Sequence, residues 1–357
     1  MRFPRPSHSE LLELLSITDA AELDALFKRA YDVKRQYIGT KVWFRGIIEL
    51  SNICSKDCYY CGIRSSNTHV ERYTVSHEEV VKEARWCYEQ GYGSIVLQGG
   101  ERSNKAWTDQ ITDLVYAIKD VSDGKLGITL SFGEQSKEVY QQWLDAGAHR
   151  YLLRVETANP ELYKQLHPQG HSFENRVKSL GYLKEVGYQV GTGVMMGLPG
   201  QTLADLANDV LFFYDIDVDM IGMGPFIPHK DTPFGHLVSG FDEAHALQLG
   251  LKMIAVCRIF LRDINIASTT ALQALKSDGR ELGLLAGANI IMPNVTDTKF
   301  REGYQLYEGK PNLNENATET MQSLEDTITA MGETVAYGEW GDSAHFFKRT
   351  NQQVKTL

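Results

Sequence analysis

Three of the chain's five cysteines stand within eight residues, in the stretch Ser51-Asn-Ile-Cys54-Ser-Lys-Asp-Cys58-Tyr-Tyr-Cys61. Thiolates are soft ligands that select iron–sulfur clusters, zinc or copper(I). Three of them complete neither a disulfide framework nor the four closed ligands of a structural zinc site. His69, eight residues past Cys61, is a candidate fourth ligand, although a loop histidine is more often solvated. Cys87 and Cys257 fall on apolar faces at helical spacing and read as small buried hydrophobes. The C-x3-C-x2-C spacing thus leaves one ligand position open. A cubane cluster on three cysteines would present one iron to a small molecule, which accounts for the missing fourth ligand.

The elements that must position this loop follow a regular rhythm. Eight β-rich runs occur at 41–50, 94–98, 126–131, 150–154, 189–197, 219–226, 264–268 and 288–292. Between most of them lie segments of helical periodicity, such as Val80, Ala84 and Cys87 behind a Ser76–Glu79 capping box, or Leu247, Leu251 and Ile254. Strands alternating with helices imply a parallel sheet with right-handed crossovers. Eight such units in about 250 residues are what a closed (β/α)8 TIM barrel requires, with a doubly wound open sheet as the alternative. The α/β barrel is expected over residues 41–300, after an N-terminal helical extension (1–40) and before a C-terminal segment (301–357) that closes it. Leu23, Leu26, Phe27 and Ala30 give the extension its helical period, with Asp19 and Glu22 as a capping box and Gly39 as the stop.

In such a barrel the chemistry gathers on the loops where strands end. The cysteine stretch follows the first strand, and Gln98-Gly99-Gly100-Glu101 the second. Ser131 to Glu134 follows the third, with Thr129 inside that strand; Arg154, Val155 and Glu156 follow the fourth. Met196 leads into the fifth loop, Thr269 and Thr270 follow the seventh strand, and Met292 ends the eighth. Turn composition alone supplies glycine and Asn/Asp at such places. It does not supply Glu101, Arg154, Glu156 and paired threonines.

With Tyr60 directly before the last cysteine and Gly99-Gly100-Glu101 at the second strand end, the chain resembles the radical S-adenosylmethionine (SAM) enzymes. The resemblance implies one [4Fe-4S] cluster on Cys54, Cys58 and Cys61, its open iron chelated by the amino and carboxylate groups of SAM. Reduction of the cluster would cleave SAM to methionine and a 5′-deoxyadenosyl radical. Gln98, Gly99, Gly100 and Glu101 would meet the methionine ammonium, and Glu156 the ribose or the amino group. Arg176 would pair with the SAM carboxylate, its bland alternative being a surface charge. Tyr60, Thr129, Ser131 and Met196 complete the cofactor-binding set.

The stretches 151–164, 172–176, 193–202, 224–233, 269–271, 287–294 and 304–310 narrow the resemblance to the FeFe-hydrogenase maturase family HydE, over residues 10–345. That family acts on a small organometallic iron–CO–cyanide–cysteine synthon, with HydG- and HydF-type maturases as partners. The implied substrate pocket holds Arg154, Thr269, Thr270, Met292, Tyr304 and Tyr307, and Arg154 with two hydroxyl donors suits an anionic ligand. Alternatively, Arg154 is a structural ion pair with Glu134 or Glu156. Methylornithine synthases, which share the barrel, place an acid where this chain has Ala271 to hold a substrate ammonium. Two departures sit at the pocket: Gly99 stands where HydE often has serine, and 267–273 differs from the usual form. No cysteines follow residue 300, so a single cluster is expected.

The charge balance, 36 Lys and Arg against 46 Asp and Glu, offers no basic footprint for nucleic acid or an anionic membrane. No uninterrupted apolar run reaches the roughly 18 residues of a membrane span, and the start lacks a signal-like apolar core. Clustered free cysteines fit a reducing cytoplasm. Two other classes compete: a non-catalytic iron–sulfur scaffold, and a zinc hydrolase, for which His229 is the one histidine on a strand-end loop.

Overall fold

The computed structural model describes residues 3–351. Residues 1–2 of the expected N-terminal extension and 352–357 of the C-terminal segment lie outside the described residues. The strands are β1 (Lys41–Ser51), β2 (Ser94–Gly99), β3 (Gly127–Ser131), β4 (Arg150–Leu152), β5 (Gln189–Thr192), β6 (Met195–Met196), β7 (Met220–Ile221), β8 (Gly224–Pro225), β9 (Asn265–Ser268), β10 (Ile290–Ile291) and β11 (Thr334–Val335). Eight of them, β1, β2, β3, β4, β5, β7, β9 and β10, pair in parallel in that order. The ring closes where Trp43 and Phe44 of β1 meet Ile290 and Ile291 of β10, so the sheet is a barrel and not an open doubly wound sheet.

The runs expected at 189–197 and 219–226 each break in two. A Cβ on Gly193 would lie 2.0 Å from the carbonyl oxygen of Gly222, so the two backbones touch there and bend. Beyond the bend they pair again as β6 and β8, Met195 opposite Gly224 and Met196 opposite Pro225. This second ladder carries both chains on to the mouth of the barrel.

Two helices precede the barrel, α1 (His8–Ser16) and α2 (Ala20–Tyr37). Asp19 caps α2 by accepting the backbone N–H groups of Ala21 and Glu22, and Gly39 leaves it at φ +90°. Leu26 and Ala30 of α2 pack on Ala255 and Ile259 of helix Glu243–Leu261. That helix is long and apolar enough to cross a membrane, yet 72% of its apolar window is buried inside the fold. Ser76 and Glu79 form the expected reciprocal box at the start of α3 (His77–Glu89), and Cys87 and Cys257 are fully buried in helices.

The last fifty residues touch both ends of the barrel. Tyr304, Leu306, Tyr307 and Lys310 form a strap across the mouth. At the opposite end β11 pairs with the start of β1, and the Gly341 carbonyl accepts from Arg45 and Asn265 inside the barrel. Lys34 of α2 and Glu333 form a fully buried ion pair at 2.6 Å that ties the two termini together.

Candidate active site

β1 reaches the site through an irregularity. Its pairing with β2 shifts between Glu49 and Ser51, and the chain then leaves the sheet as the cysteine loop. The loop has almost no regular structure, so side chains must satisfy its backbone. Arg72 does most of this: Nη1 donates to the carbonyls of Asn52 (2.6 Å) and Ile63 (2.9 Å). Nη2 donates to those of Arg64 (2.6 Å) and Asn67 (2.9 Å). Buried Asn52 adds bonds to the carbonyls of Glu71 and Gly303, each at 2.7 Å.

The end of β2 is stitched to this loop. Gly100 N–H donates to the Ser51 carbonyl (2.8 Å), Ser55 N–H donates to the Glu101 carbonyl (2.8 Å), and Glu101 N–H points at Cys54 Sγ (3.3 Å). A Cβ on Gly100 would lie 2.3 Å from the Ile53 carbonyl oxygen, so glycine is required by close approach of two backbones. The Glu101 carboxylate is held by Lys56 (3.1 Å) and by the Glu134 N–H (2.9 Å). Gly133, at φ +72°, leaves room for it: a Cβ there would sit 2.1 Å from Glu101 Oε2.

Past β4 the backbone is strained. Glu156 is a buried non-glycine residue at φ +67°, a conformation that costs about 1–3 kcal/mol and clusters at functional sites. Its carboxylate meets Arg154 at 3.0 Å, which is one of the structural pairings open to Arg154. Arg176 is buried, donating through Nε to Glu134 (2.6 Å) and through Nη1 to the Arg154 carbonyl (2.6 Å). Burial works against its charge, but Tyr163, Glu134 and Glu101 more than offset that. It is therefore no surface charge.

One cavity of about 310 Å³ runs from the cysteine loop to the strap. It brings together the three cysteines, Tyr60, Gln98, Gly99, Gly100, Glu101, Ser131, Arg154, Glu156 and Arg176. Thr269, Thr270, Met292, Tyr304 and Tyr307 line the same cavity. Two expected residues are not part of its wall. Thr129 lies two residues before Ser131, one layer down the barrel, where its hydroxyl accepts from Arg150 Nε at 2.9 Å. Met196 faces outward into the buried core between sheet and helices, near Gly250 of helix Glu243–Leu261, and alternation along β6 puts Met195 in the wall instead. His69 is no cysteine partner, being exposed and 3.0 Å from Asp231. His229 is buried against Gly62, directly after Cys61.

The sequence reading missed Glu49 and Lys310, which both line the cavity and form a buried ion pair. Lys310 also donates to the Tyr304 carbonyl (2.9 Å), and Asn294 donates to Glu49 (3.0 Å). A carboxylate inside the apolar run Phe44–Leu50 was the available signal for Glu49. Lys56, the partner of Glu101, sits between two cysteines and was equally legible.

Burial pushes all three thiols up, Cys58 to about 12 and Cys61 well above its ordinary value, where the other two cysteines add to the effect. Bare thiols here would stay protonated, so the thiolate form needs a cation, which is what a bound metal centre supplies. The backbone N–H groups of Lys56 and Glu101, both aimed at Cys54 Sγ, suit a metal-bound sulfur. The residues present therefore fit a cluster on Cys54, Cys58 and Cys61.

A closed barrel with three cysteines after β1 and a Gly-Gly-Glu end on β2 defines a radical SAM enzyme, with a [4Fe-4S] cluster and SAM as cofactors. Residues 48–213 match the model of the Radical SAM superfamily. The chain is 45% identical over 338 residues to "[FeFe] hydrogenase maturase subunit HydE" of Thermotoga maritima, covering 95% of this chain and 94% of that protein. It is 28% identical to the 3-methylornithine synthase of Methanosarcina acetivorans, over 85% and 83% of the two chains. Among solved structures, methylornithine synthase superposes with a TM-score of 0.81 at 26% identity, covering 94% and 95%. HydG from Carboxydothermus hydrogenoformans gives 0.79 at 22% identity, over 93% and 76%, a likeness of fold. The chain belongs to the HydE family of the radical SAM superfamily.

Proposed function

We propose that this enzyme acts in the assembly of the FeFe-hydrogenase active site, on a small anionic iron–CO–cyanide–cysteine complex supplied by a HydG-type maturase. The observation that supports this reading is the continuity of the cavity: the residues expected to bind SAM and those expected to bind substrate line one volume that reaches the strap. When bound, the cluster and SAM supply the electron and the 5′-deoxyadenosyl radical. Cys54, Cys58 and Cys61 would hold the cluster. Arg176, Glu101 and Glu156 would fix the charged methionine and ribose groups, through bidentate and charge-assisted bonds. Arg154, Thr270 and Tyr307 would orient the anion, the Thr269 hydroxyl being spent on the Met223 carbonyl (2.9 Å), while Met292, Tyr304 and Leu306 exclude water. Ala271 puts only a methyl group into the cavity, which disfavours the amino-acid ammonium of the methylornithine synthase alternative.

The test is anaerobic: reconstitute the chain with iron and sulfide, reduce it, add SAM, and quantify 5′-deoxyadenosine. Slow cleavage lost in Cys58→Ala, and accelerated by the HydG product but not by lysine or small thiols, is the expected result. Cleavage that the HydG product leaves unchanged would refute the substrate assignment.

A further inference from the structure

Behind the cysteine loop lies a set of three ligand atoms, of which the SAM chemistry uses only the Cys58 sulfur. Cys58 Sγ and one ring nitrogen each of His167 and His171 lie within 4.8 Å of one another. His167 has the bonding of a histidine built to coordinate. Its Nδ1 lies 2.8 Å from the Tyr163 carbonyl and must donate there, which leaves the lone pair on Nε2. A ligating histidine characteristically donates its other ring N–H to such a carbonyl. The remaining contact of Nε2, to the Tyr60 hydroxyl, is long at 3.3 Å. In His171, Nδ1 is buried and has no hydrogen-bond partner among the described residues. Burial, and after it the cations Lys56 and Arg176 against the weaker pull of Glu134 and Asp57, lower the His171 imidazole and keep it in the neutral form that a metal takes.

We propose that, in the cluster-free chain, Cys58, His167 and His171 bind one zinc ion, so that zinc and the iron–sulfur cluster compete for Cys58. One thiolate and two imidazoles are a borderline-soft set that suits zinc. Bond lengths of about 2.3 Å to sulfur and 2.0 Å to nitrogen place tetrahedral ligands roughly 3.5 Å apart, so about 1 Å of closure completes the site. The fourth position goes to water. Cys54 and Cys61 take no part, and Cys58 cannot serve both centres. Zinc occupancy therefore blocks cluster assembly until it is displaced.

The experiment uses the full-length, cluster-free, reduced chain and cobalt(II) as a spectroscopic probe, with zinc competition to read affinity. One cobalt per chain is expected, in a tetrahedral field, with thiolate-to-metal charge transfer of one sulfur. Cys54→Ser/Cys61→Ser retains this spectrum and Cys58→Ser abolishes it. His171→Ala weakens zinc by about 100-fold or more, the upper end of what losing a supporting residue costs. His171→Ala and His171→Gln still take up a full complement of iron and sulfide, which shows that they fold. The reconstituted cluster-bound chain takes up no cobalt at this site. Charge transfer of three sulfurs that disappears in Cys54→Ser/Cys61→Ser would overturn the proposal, because the metal would then sit on the cysteines alone. Unchanged zinc affinity in both His171 variants would overturn it as well.

Discussion

Arg72 is the residue whose loss tests most sharply how the cysteine loop is held. Its guanidinium donates four hydrogen bonds, at 2.6–2.9 Å, to the carbonyls of Asn52, Ile63, Arg64 and Asn67, which bracket all three cysteines. Hydrogen bonds from a charged donor are worth about 1.5–3 kcal/mol each, but they are not additive. Arg72 is only half-buried, and water replaces part of what is lost. A net loss of about 3 kcal/mol follows for Arg72→Ala, which raises the open population of the loop about 100-fold. The barrel does not depend on these bonds, so the melting temperature should barely change. The assay is the rate at which a chelator strips iron from the reconstituted protein, which should rise towards that factor. Arg72→Lys should behave nearly as badly, since one ammonium cannot span four carbonyls. A stripping rate equal to that of the parent chain would refute the reasoning, and so would global unfolding of the variant.

Three further outcomes are expected. In Gly100→Ala the new Cβ would meet the Ile53 carbonyl oxygen at 2.3 Å and Cys54 Cβ at 2.8 Å; iron and sulfide content should fall sharply while the circular dichroism spectrum is kept. Lys310→Met strands the buried Glu49 carboxylate, at a cost of about 3–5 kcal/mol read from urea unfolding, and Glu49→Gln/Lys310→Met should recover most of it. Burial lowers the His345 imidazole, but its bonds to Asp217 and Asp263 more than reverse this and carry it up to about 9. A raised value means that the protonated form stabilises the fold, fully below about pH 6.5 and no longer once the pH has climbed through 9. Parent stability should thus decline across that window by on the order of 3 kcal/mol more than that of His345→Gln; parallel curves would contradict it.

Local chemistry was legible without a structure wherever it was written in contiguous residues. The C-x3-C-x2-C spacing, the Gly-Gly-Glu end and the alternation of strands with helices each reflect short-range demands: ligand reach, close backbone approach, and hydrophobic periods of two and 3.6. Those signals gave the barrel, the cysteine loop beside the cavity and most of the cavity wall. What they could not give depends on long-range geometry. Thr129 and Ser131 share a face of β3, and only the stagger of the barrel decides that one lines the cavity and the other meets Arg150. Met195 lines the cavity while Met196 joins Val190 and Val194 in the outer core, and only the closure of the barrel decides which of the two alternating faces looks inward. Arg72 could be assigned no role in sequence, since its four acceptors lie 5 to 20 residues away along an irregular loop. Glu49 and Lys310 stand 261 residues apart and meet because the strap returns across the mouth. Residue types and spacing determined which chemistry this chain can perform; the closure of the barrel decided which side chains face it, because facing is set by register and stagger that no local stretch encodes.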